Sequence, residues 1–551
     1  MCVVALLTAA LAAPAAAGAF GPVSSFGADG EGAGQLSAPG AIAVGPEGDF
    51  FVVDQGNRRV DVFSGGGEFL YAFGRGVRPG GGEVCDQGSG CRAGEGGGVA
   101  GALERPEGIA VSSSGEVYVA EEGNDRVSVF SRGGVFMFAF GYRVAPGVEP
   151  PAGNVCDVAS GCQSGSNVRV PPIEEETQNG PEGALAEPSG VAVDASGDVF
   201  VADTRNNRVS VFDPFGAFLY AFGTEVEGKP GFESFCETQC IEATAFFGAG
   251  GMNQPASIAI MPGGLLAVGD SENHRVDIFE AKPRGEFVRA IGREVDPTGG
   301  DVCTAATGCI AGTVEGVGAL ANPAGLAVSP TGAITVGDRE SERVSQFNSE
   351  GEFVRAFGAG VVTGADAFEV CTALTGCLPG LQSAVAGATP HPFGVVEACG
   401  GSIFVSESTS GLSQVGRFGE PGSAAICPPP SKGIGPAPIP VRVVPTNLFQ
   451  LGRLKRHRAN GTATLLVTVP GSGALALGGR GIHQVARHPG AAATVALPIR
   501  LLGKARRGLL AAGRRRVAAA ITFTPDGGSA RNESRKLTLV KQLKPKPRRG
   551  R

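Results

Sequence analysis

The stretch GIAVSSSGEVYVAEEGNDRVSVFSRGGVFMFAFG, from Gly108 to Gly141, decides the fold of this 551-residue chain. Each copy of this unit contains four short runs rich in Val, Ile, Phe and Ala, separated by turns that contain glycine. A repeated four-stranded unit predicts a β-propeller in which each copy folds as one blade. Five further copies complete a set of six, and they begin near Gly40, Gly190, Ser257, Gly325 and Gly394.

The sixth copy is incomplete, because it ends at VGRFG (residues 415–419) without a fourth strand. Residues 20–27, FGPVSSFG, resemble the end of the other copies and come just before the first one. We predict that this segment completes the sixth blade and closes the ring, since open sheet edges invite aggregation. The predicted fold class is all-β, a six-bladed propeller followed by a small β-sandwich domain.

Charge divides the chain into two parts. Of 46 Lys+Arg and 53 Asp+Glu, residues 441–551 contain 23 and 2, which leaves 23 and 51 for residues 1–440. The parts therefore carry about +21 and −28, which sum to the net charge of −7. The predicted organisation is a signal peptide over 1–19, the propeller over 20–427, a proline-rich linker over 428–440, a basic β-sandwich over 441–540 and a basic tail over 541–551.

Cysteine spacing predicts disulfides rather than a metal site. Twelve cysteines follow the predicted signal peptide, and ten of them form close pairs between one blade and the next. Four pairs have five intervening residues, unlike the spacing of structural zinc sites, and disulfides suit a secreted protein. The predicted pairs are Cys85–Cys91, Cys156–Cys162, Cys236–Cys240, Cys303–Cys309 and Cys371–Cys377, which leaves Cys399 and Cys427 to tie the last blade to the segment that follows it.

The turn between the second and third strands repeats an acidic residue, an asparagine and an arginine. Because a catalytic site is rarely copied five times, we predict a structural role, in which the carboxylate caps the turn and pairs with the arginine. The alternative is that some of these side chains form the rim of a ligand pocket near the axis. Because the four strands of a blade return the chain to the same side of the propeller, these turns and the Cys-bearing insertions should lie on one face. Long loops on a rigid scaffold make this face the better candidate for binding. The residues are Asp54, Asn57, Arg59, Asn124, Arg126, Asp203, Asn206, Arg208, Asp270, Asn273, Arg275, Asp338 and Arg343.

The elements P-x-G-I-A-V, V-x-V-A-D and N-x-R-V-x-x-F recur together over residues 27–419 and resemble the NHL repeat, a six-bladed β-propeller module. Glu121 replaces Asp in the second copy, Ser341 replaces Asn in the fifth, and the sixth has SESTSGLSQV without the arginine. The Cys-bearing insertions are similar to those of secreted bacterial NHL proteins. Related propellers include lyases and lactonases that use an axial metal, so the resemblance implies a hydrolase or lyase as the alternative function.

A catalytic metal site is not evident in the sequence. The predicted propeller contains only His274 and His391, too few for a three-histidine zinc site, and the chain has no G-x-S-x-G or P-loop motif. No cofactor is predicted, although a calcium site of Asp and Asn oxygens stays open. The leading prediction is a secreted or surface-associated, monomeric, non-catalytic binding scaffold for a protein, a glycan or an anionic envelope polymer.

The C-terminal part contains six or seven segments rich in Val, Leu and Ala within about 100 residues, which favours an immunoglobulin-like β-sandwich. It resembles the basic sandwich modules of secreted bacterial proteins, and GKARRGLLAAG within it is a candidate short helix. Its cationic clusters favour wall polymers, lipid headgroups or DNA, and a merely solvated face is the alternative. The clustered residues are Lys455, Arg456, Arg458, Arg506, Arg507, Arg514, Arg515 and Arg516.

Overall fold

The computed structural model describes residues 20–148, 150, 152–169, 178–226, 235–237, 240–398, 401–409, 411–420, 449–458, 460–469, 472–489, 493–525 and 531–542. The chain forms two compact units, Met1–Gly435 and Pro436–Arg551. The predicted signal peptide, the linker, Cys399, Cys427 and all but two residues of the basic tail lie outside the described residues.

The first unit is a β-propeller of six antiparallel sheets, called blades 1 to 6 in chain order. Blade 1 contains Pro39–Val44, Phe50–Asp54, Arg59–Phe63, Phe69–Phe73 and Val84–Cys85; blade 2 contains Pro106–Val111, Val117–Glu121, Arg126–Phe130, Phe136–Phe140 and Val155–Cys156. Blade 3 contains Gly190–Val193, Val199–Asp203, Arg208–Phe212, Phe218–Phe222 and Phe235–Cys236; blade 4 contains Pro255–Met261, Leu265–Asp270, Arg275–Glu280, Phe287–Ile291 and Val302–Cys303. Blade 5 contains Pro323–Val328, Ile334–Asp338, Arg343–Phe347, Phe353–Ala359 and Phe368–Cys371.

Blade 6 combines the two ends of the propeller sequence. It contains Val395–Ala398, Ser402–Thr409, Leu412–Gly419 and, as its outer strand, Gly21–Phe26. The strand Gly21–Phe26 pairs antiparallel with Leu412–Gly419, with Gly21 opposite Gly419 and Phe26 opposite Val415. The predicted closure of the ring by the N-terminal segment is therefore confirmed.

Blades 1 to 5 have a fifth strand, so the prediction of four-stranded blades was wrong for them. Each fifth strand ends at the first cysteine of a pair, and this cysteine lies opposite an alanine of the fourth strand, as Cys85 does opposite Ala72. Two to four residues are too short to show a strand periodicity in the sequence. They pair because the fourth strand offers a free edge of backbone N–H and C=O groups.

The innermost strands close the ring around the axis. The first strand of each blade contacts the first strand of the next, and that of blade 6 contacts that of blade 1. Glycine at the start of these strands permits this approach: a Cβ atom on Gly108 would lie 2.3 Å from the carbonyl oxygen of Ser189, and one on Gly394 would lie 2.5 Å from that of Gly40. The glycine of the G-I-A-V motif is thus required by contact with the neighbouring blade.

Aromatic side chains fill the space between consecutive blades. Phe73 of blade 1 packs on Phe130 of blade 2 with ring centroids 5.1 Å apart, and Phe140 packs on Phe212 of blade 3 at 4.7 Å. Because both faces of each sheet are covered by neighbours, the second and third strands of blades 1 to 5 are almost entirely buried. This explains why they are apolar without strict alternation.

The second unit consists of two sheets that share one hydrophobic core. The core contains Leu465, Leu497 and Ile521, which are fully buried. One sheet contains Gln450–His457, Thr462–Val469 and Ala493–Ile499; the other contains Val485–Arg487, Gly473–Gly478, Arg514–Pro525 and Arg531–Val540. The candidate helix is present as α1 (Gly503–Ala512), and no helix among the described residues is long and apolar enough to span a membrane.

The small remaining elements are irregular. A short hairpin pairs Val168–Arg169 with Gln178–Asn179. Short 3-10 helices precede the third strands of blades 2, 3 and 4, at Glu122–Asn124, Thr204–Asn206 and Ser271–Asn273, and others lie at Ala152–Asn154 and Pro262–Gly264.

Candidate binding face

The acidic residue that ends the second strand organises the turn that follows it in blades 1 to 5. In blade 3, one carboxylate oxygen of Asp203 accepts hydrogen bonds from the backbone N–H of Ala186 (2.8 Å) and from Asn206 Nδ2 (2.9 Å). The other oxygen accepts from Arg208 Nε at 2.8 Å and from Ser210 Oγ at 2.9 Å. Asp203 and Arg208 are fully buried, so this ion pair is stable only because hydrogen bonds saturate both partners.

The guanidinium group of the same blade binds backbone carbonyl groups on two sides. Arg208 Nη1 donates to the carbonyl oxygens of Gly180 (2.6 Å) and Ile241 (2.8 Å), and Nη2 donates to that of Ala184 at 2.9 Å. Gly180 and Ala184 precede the blade, whereas Ile241 follows the second cysteine of the insertion that leaves it. One buried side chain therefore joins the chain entering a blade to the loop leaving it.

This arrangement recurs in blades 1 to 5. In every case a guanidinium nitrogen donates to the carbonyl oxygen of the residue directly after the second cysteine of the pair. The arginines are Arg59, Arg126, Arg208, Arg275 and Arg343, all buried, and the carbonyl groups belong to Arg92, Gln163, Ile241, Ile310 and Leu378.

Blades 1 and 4 place a second carboxylate beside the arginine. Arg59 Nε lies 2.7 Å from Asp61 and 3.2 Å from Asp54. Burial raises the pKa of Asp61 well above its usual value, and the neighbouring Asp54 carboxylate raises it further. Arg275 lies between Asp270 and Asp277 in the same way. Because these positions hold serine in the other three blades, the second carboxylate is not needed to hold the arginine.

Blade 6 replaces the charged pair by a neutral contact. Glu407 and Gln414 are opposite each other in the register, as Asp338 and Arg343 are in blade 5. Gln414 Nε2 donates to Glu407 Oε2 at 2.7 Å, and the Glu407 side chain is buried. Burial without a cationic partner raises the pKa of Glu407 to about 8.

The buried asparagines and arginines of the turns do not line the opening at the axis. The opening, here called the mouth, has a cavity volume of about 520 Å³. It is lined instead by the residues that directly follow the acidic residue of each turn, together with other turn residues and residues just before or at the start of the first strands. The former are Gln55, Glu122, Thr204, Ser271 and Arg339 in blades 1 to 5.

The mouth combines acidic and basic side chains that pair with each other. Arg105 Nη2 lies 2.6 Å from Glu122 Oε1, and Arg205 Nε lies 2.8 Å from Glu187 Oε2. Gln55 Nε2 donates to Glu107 Oε1 at 3.1 Å. Burial and the adjacent Glu122 carboxylate raise the pKa of Glu107 to about 8. Such a mouth can donate and accept hydrogen bonds with little net charge.

Below the mouth the axial channel narrows to a cavity of about 60 Å³ lined mainly by apolar residues. Ile42, Ile109 and Ile258 from different blades line it. A ligand that enters the mouth therefore meets polar groups at the rim and a narrow apolar throat.

The mouth does not offer a donor set that fits a divalent cation. Three of its carboxylates, those of Glu104, Glu122 and Glu187, are paired with guanidinium groups, and among the described residues no three His, Cys, Asp or Glu side chains are grouped to hold a metal ion. His274 Nδ1 lies 2.7 Å from the carbonyl oxygen of Ala321, and His391 Nε2 lies 3.3 Å from Glu342. We therefore derive no reaction step through an axial metal or a calcium ion.

Five of the predicted disulfides are formed. The pairs Cys85–Cys91, Cys156–Cys162, Cys236–Cys240, Cys303–Cys309 and Cys371–Cys377 are bonded, with Cα atoms 5.3–5.6 Å apart. Their loops lie on the same face as the turns between second and third strands, since the buried arginines bind both. The sixth predicted pair lies outside the described residues.

The cationic residues of the second unit are exposed. Lys455, Arg456 and Arg458 lie on or just after the strand Gln450–His457, Arg506 and Arg507 lie on helix α1, and Arg514, Arg515 and Arg516 begin a strand. Arg456 Nε donates to the carbonyl oxygen of Thr538 at 2.8 Å, and Thr538 lies opposite Arg516. The fold thus brings together Arg456 and Arg516, which are far apart in sequence.

The residues that line the mouth are not among the site residues predicted from the repeat. It singled out the positions that stay constant between copies, whereas Glu107, Glu122 and Arg339 occupy positions that differ from blade to blade. The variation of these positions within an otherwise repeated motif is the sequence feature that could have identified them. Residues that vary on a repeated scaffold are suited to recognise one specific ligand.

Comparison with known proteins agrees with the repeat. A family model described as the NHL repeat matches residues 103–130, 185–212 and 252–279, each of which ends within the third strand of blade 2, 3 or 4. The chain therefore carries NHL repeats in its propeller.

Curated relatives match only in part. "Protein brain tumor" of Drosophila melanogaster is 28% identical over 179 residues, which cover 32% of this chain and 13% of that protein. "Protein wech" of the same organism is 34% identical over 83 residues, and "B-box type zinc finger protein ncl-1" of Caenorhabditis elegans is 56% identical over 39 residues. These matches cover 14% and 7% of this chain, and the chain spans 10% and 5% of those two relatives.

Solved structures give similarly distant matches. A streptogramin B lyase is 12% identical with a TM-score of 0.37, covering 72% of this chain and 97% of that chain. A virginiamycin B lyase from Staphylococcus aureus is 10% identical with a TM-score of 0.36, covering 70% and 97%. A gluconolactonase from Xanthomonas campestris is 12% identical with a TM-score of 0.35, covering 74% and 99%.

Proposed function

We propose that this protein is a secreted, non-catalytic binding scaffold. Its propeller binds a ligand on the face that carries the mouth and the disulfide loops, and its basic second unit contacts a polyanion. The observation that supports this best is the mouth itself, in which variable polar side chains such as Glu122 and Arg339 stand on a frame of buried ion pairs. A rigid frame with varied side chains is the usual design of a recognition surface.

Secretion is supported by the five disulfides, which persist in oxidising compartments. The exposed arginines of the second unit support the polyanion contact, because clustered cations attract anionic polymers and lipid surfaces. Pairing of the mouth carboxylates with arginines favours ligand binding over metal-dependent hydrolysis.

Retention of the full chain on isolated cell envelopes across a salt series tests this proposal. The variant Arg514→Ser with Arg516→Ser should lose the salt-sensitive part of the retention. The variant Glu122→Gln with Arg339→Ser should lose the part that persists at high salt, and Arg487→Ser, which also removes an exposed arginine of the second unit, should bind like the parent chain. Absence of any retention of the parent chain would overturn the proposal.

A further inference from the structure

Blade 4 exposes large apolar side chains where blades 1 and 2 have glycine or polar residues. The positions can be matched because their carbonyl groups bind the buried arginine of each blade in the same way. The residue 28 positions before that arginine is Glu31, Gly98, Gly180 and Phe247 in blades 1 to 4. The residue after the second cysteine is Arg92 and Gln163 in blades 1 and 2 but Ile310 and Leu378 in blades 4 and 5.

The exposed apolar residues form one strip across blades 4 and 5. Arg275 Nη1 donates to the carbonyl groups of both Phe247 and Ile310, which places these two residues side by side. The chain then runs from Ile310 to Gly316, and Arg343 binds the carbonyl groups of Gly316 (3.2 Å) and Leu378 (3.0 Å). We define the apolar strip by its exposed members, Phe246, Phe247, Ile310, Val314 and Leu378.

Two phenylalanines dominate the strip and are held in place by the frame beneath them. The ring centroids of Phe246 and Phe247 are 5.4 Å apart with an interplanar angle of 24°, and the side chains are 41% and 55% exposed. The carbonyl group of Phe246 accepts a hydrogen bond from Asn273 Nδ2 at 2.9 Å. An exposed aromatic pair on a hydrogen-bonded backbone is suited to binding, because little backbone freedom is lost on association.

Acidic side chains border the strip. Glu242 lies four residues before Phe246, Glu315 follows Val314 directly, and Glu294 is brought alongside by a hydrogen bond from Thr313 N–H to the Arg293 carbonyl group (3.0 Å). Arg293 is paired with Glu294 at 3.3 Å. The surroundings are therefore acidic, as is the sequence of residues 1–440 as a whole, and they attract cations.

We propose that this strip docks a segment of a partner protein that combines apolar side chains with lysine or arginine. The apolar side chains would cover Phe246, Phe247 and Ile310, and the cationic ones would meet the exposed Glu315 at the border of the strip. This docking site lies outside the mouth, and it rests on the proposed binding role of the face that carries both. Exposed apolar surface rimmed by polar residues is typical of protein interaction sites.

Labelled synthetic peptides and the full chain test the proposal by fluorescence anisotropy. One peptide combines leucine and lysine, a second has glutamate in place of lysine, and a third has serine in place of leucine. We expect the first peptide to bind at least about tenfold more tightly than the other two, since both aromatic anchors and charge contribute. Equal binding of the serine peptide would overturn the proposal, because it would leave only electrostatic attraction.

The variant Phe246→Ser with Phe247→Ser should weaken binding of the leucine–lysine peptide at least about tenfold. It keeps the carbonyl groups that bind Asn273 and Arg275, so the frame should survive, and a thermal unfolding scan checks this. The matched control is Phe215→Ser, because Phe215 is 40% exposed in the turn between the third and fourth strands of blade 3, away from this face. The control should bind like the parent chain.

The outcomes separate this inference from the function proposed above. Peptide binding that survives the double phenylalanine variant but is lost in Glu122→Gln with Arg339→Ser would overturn the strip and keep a binding role for the face. Absence of peptide binding together with envelope retention would overturn the strip alone. Self-association of the parent chain that the phenylalanine variant abolishes would make a second copy the occupant and would overturn the proposed partner class.

Discussion

Blades 1 to 5 and blade 6 reach the same sheet geometry by different means. In the first five, a buried arginine meets an acidic residue or backbone carbonyl groups and binds the loop that follows the second cysteine. In blade 6, Gln414 and Glu407 occupy the equivalent pair, and the outer strand Gly21–Phe26 comes from the other end of the propeller. The arginine therefore serves the insertion loop rather than the sheet, because the sheet of blade 6 forms without it.

The largest effect should follow from removing the strand that closes blade 6. Deletion of residues 20–26 removes Phe20, packed on Phe357 at 5.0 Å, and Phe26, packed on Phe63 at 4.8 Å, and it exposes the edge of Leu412–Gly419. We expect a loss on the order of 10 kcal/mol, or about 10 °C in Tm for a unit of this size, with aggregation. Thermal unfolding and size-exclusion chromatography measure this.

The control for the deletion is Val23→Ser, because Val23 lies in the same strand with its side chain exposed. This substitution should leave Tm almost unchanged. A deletion variant as stable and monomeric as the parent chain would contradict the role of the N-terminal strand in closing the ring.

Removing one buried arginine should be the next largest effect. Arg208→Met leaves Asp203 charged and buried and leaves four carbonyl groups without their donor. Loss of one partner of a buried pair costs about 3–5 kcal/mol in the free energy of unfolding, measured by urea denaturation. Arg205→Met, which removes an exposed arginine three residues earlier, should change it by less than about 1 kcal/mol. Equal losses of unfolding free energy in the two variants would contradict the stabilising role of the buried arginine.

The free energy of unfolding should depend on pH because of Glu407 in blade 6. The pKa of Glu407 is about 8 in the folded state and about 4.3 in an unfolded chain, so the folded state binds more protons between these values. The stability that Glu407 contributes therefore falls as pH rises from about 4.5 to 8. Glu407→Gln removes this titration and keeps the contact with Gln414.

We expect the stability of Glu407→Gln, relative to the parent chain, to increase between pH 5 and pH 8. Urea unfolding at the two pH values measures the difference. Glu350→Gln, in an exposed turn of blade 5, is the control, and its stability should change with pH as that of the parent chain does. A constant difference between Glu407→Gln and the parent chain would contradict the raised pKa.

The smallest effect should come from opening one disulfide loop. Cys303→Ser with Cys309→Ser should cost about 2 kcal/mol, because the loop is short and its closure entropy is small. The carbonyl group of Ile310 should stay bound to Arg275, which holds the loop independently. A loss as large as that of Arg208→Met in urea unfolding would show that the disulfide, rather than the guanidinium group, positions the loop.

Features that depend on neighbours along the chain could be predicted from the amino-acid sequence. The repeat, the meander of each blade, the closely spaced disulfides and the meeting of acidic residue and arginine in blades 1 to 4 follow from local spacing, and all are present. The closing strand was also predictable, because an incomplete sixth copy and a matching segment before the first copy can be counted in the sequence.

Contacts between these elements and distant parts of the chain could not be predicted from the sequence and became visible in the folded structure. The fifth strands are too short for a periodic signal and exist because a neighbouring edge is free. The carbonyl groups that bind Arg275, the residues that line the mouth, and the contiguity of Phe247 with Ile310 join segments tens of residues apart. Such contacts arise from the closure of the ring around its axis, and no local pattern encodes which variable side chains the closed ring brings together.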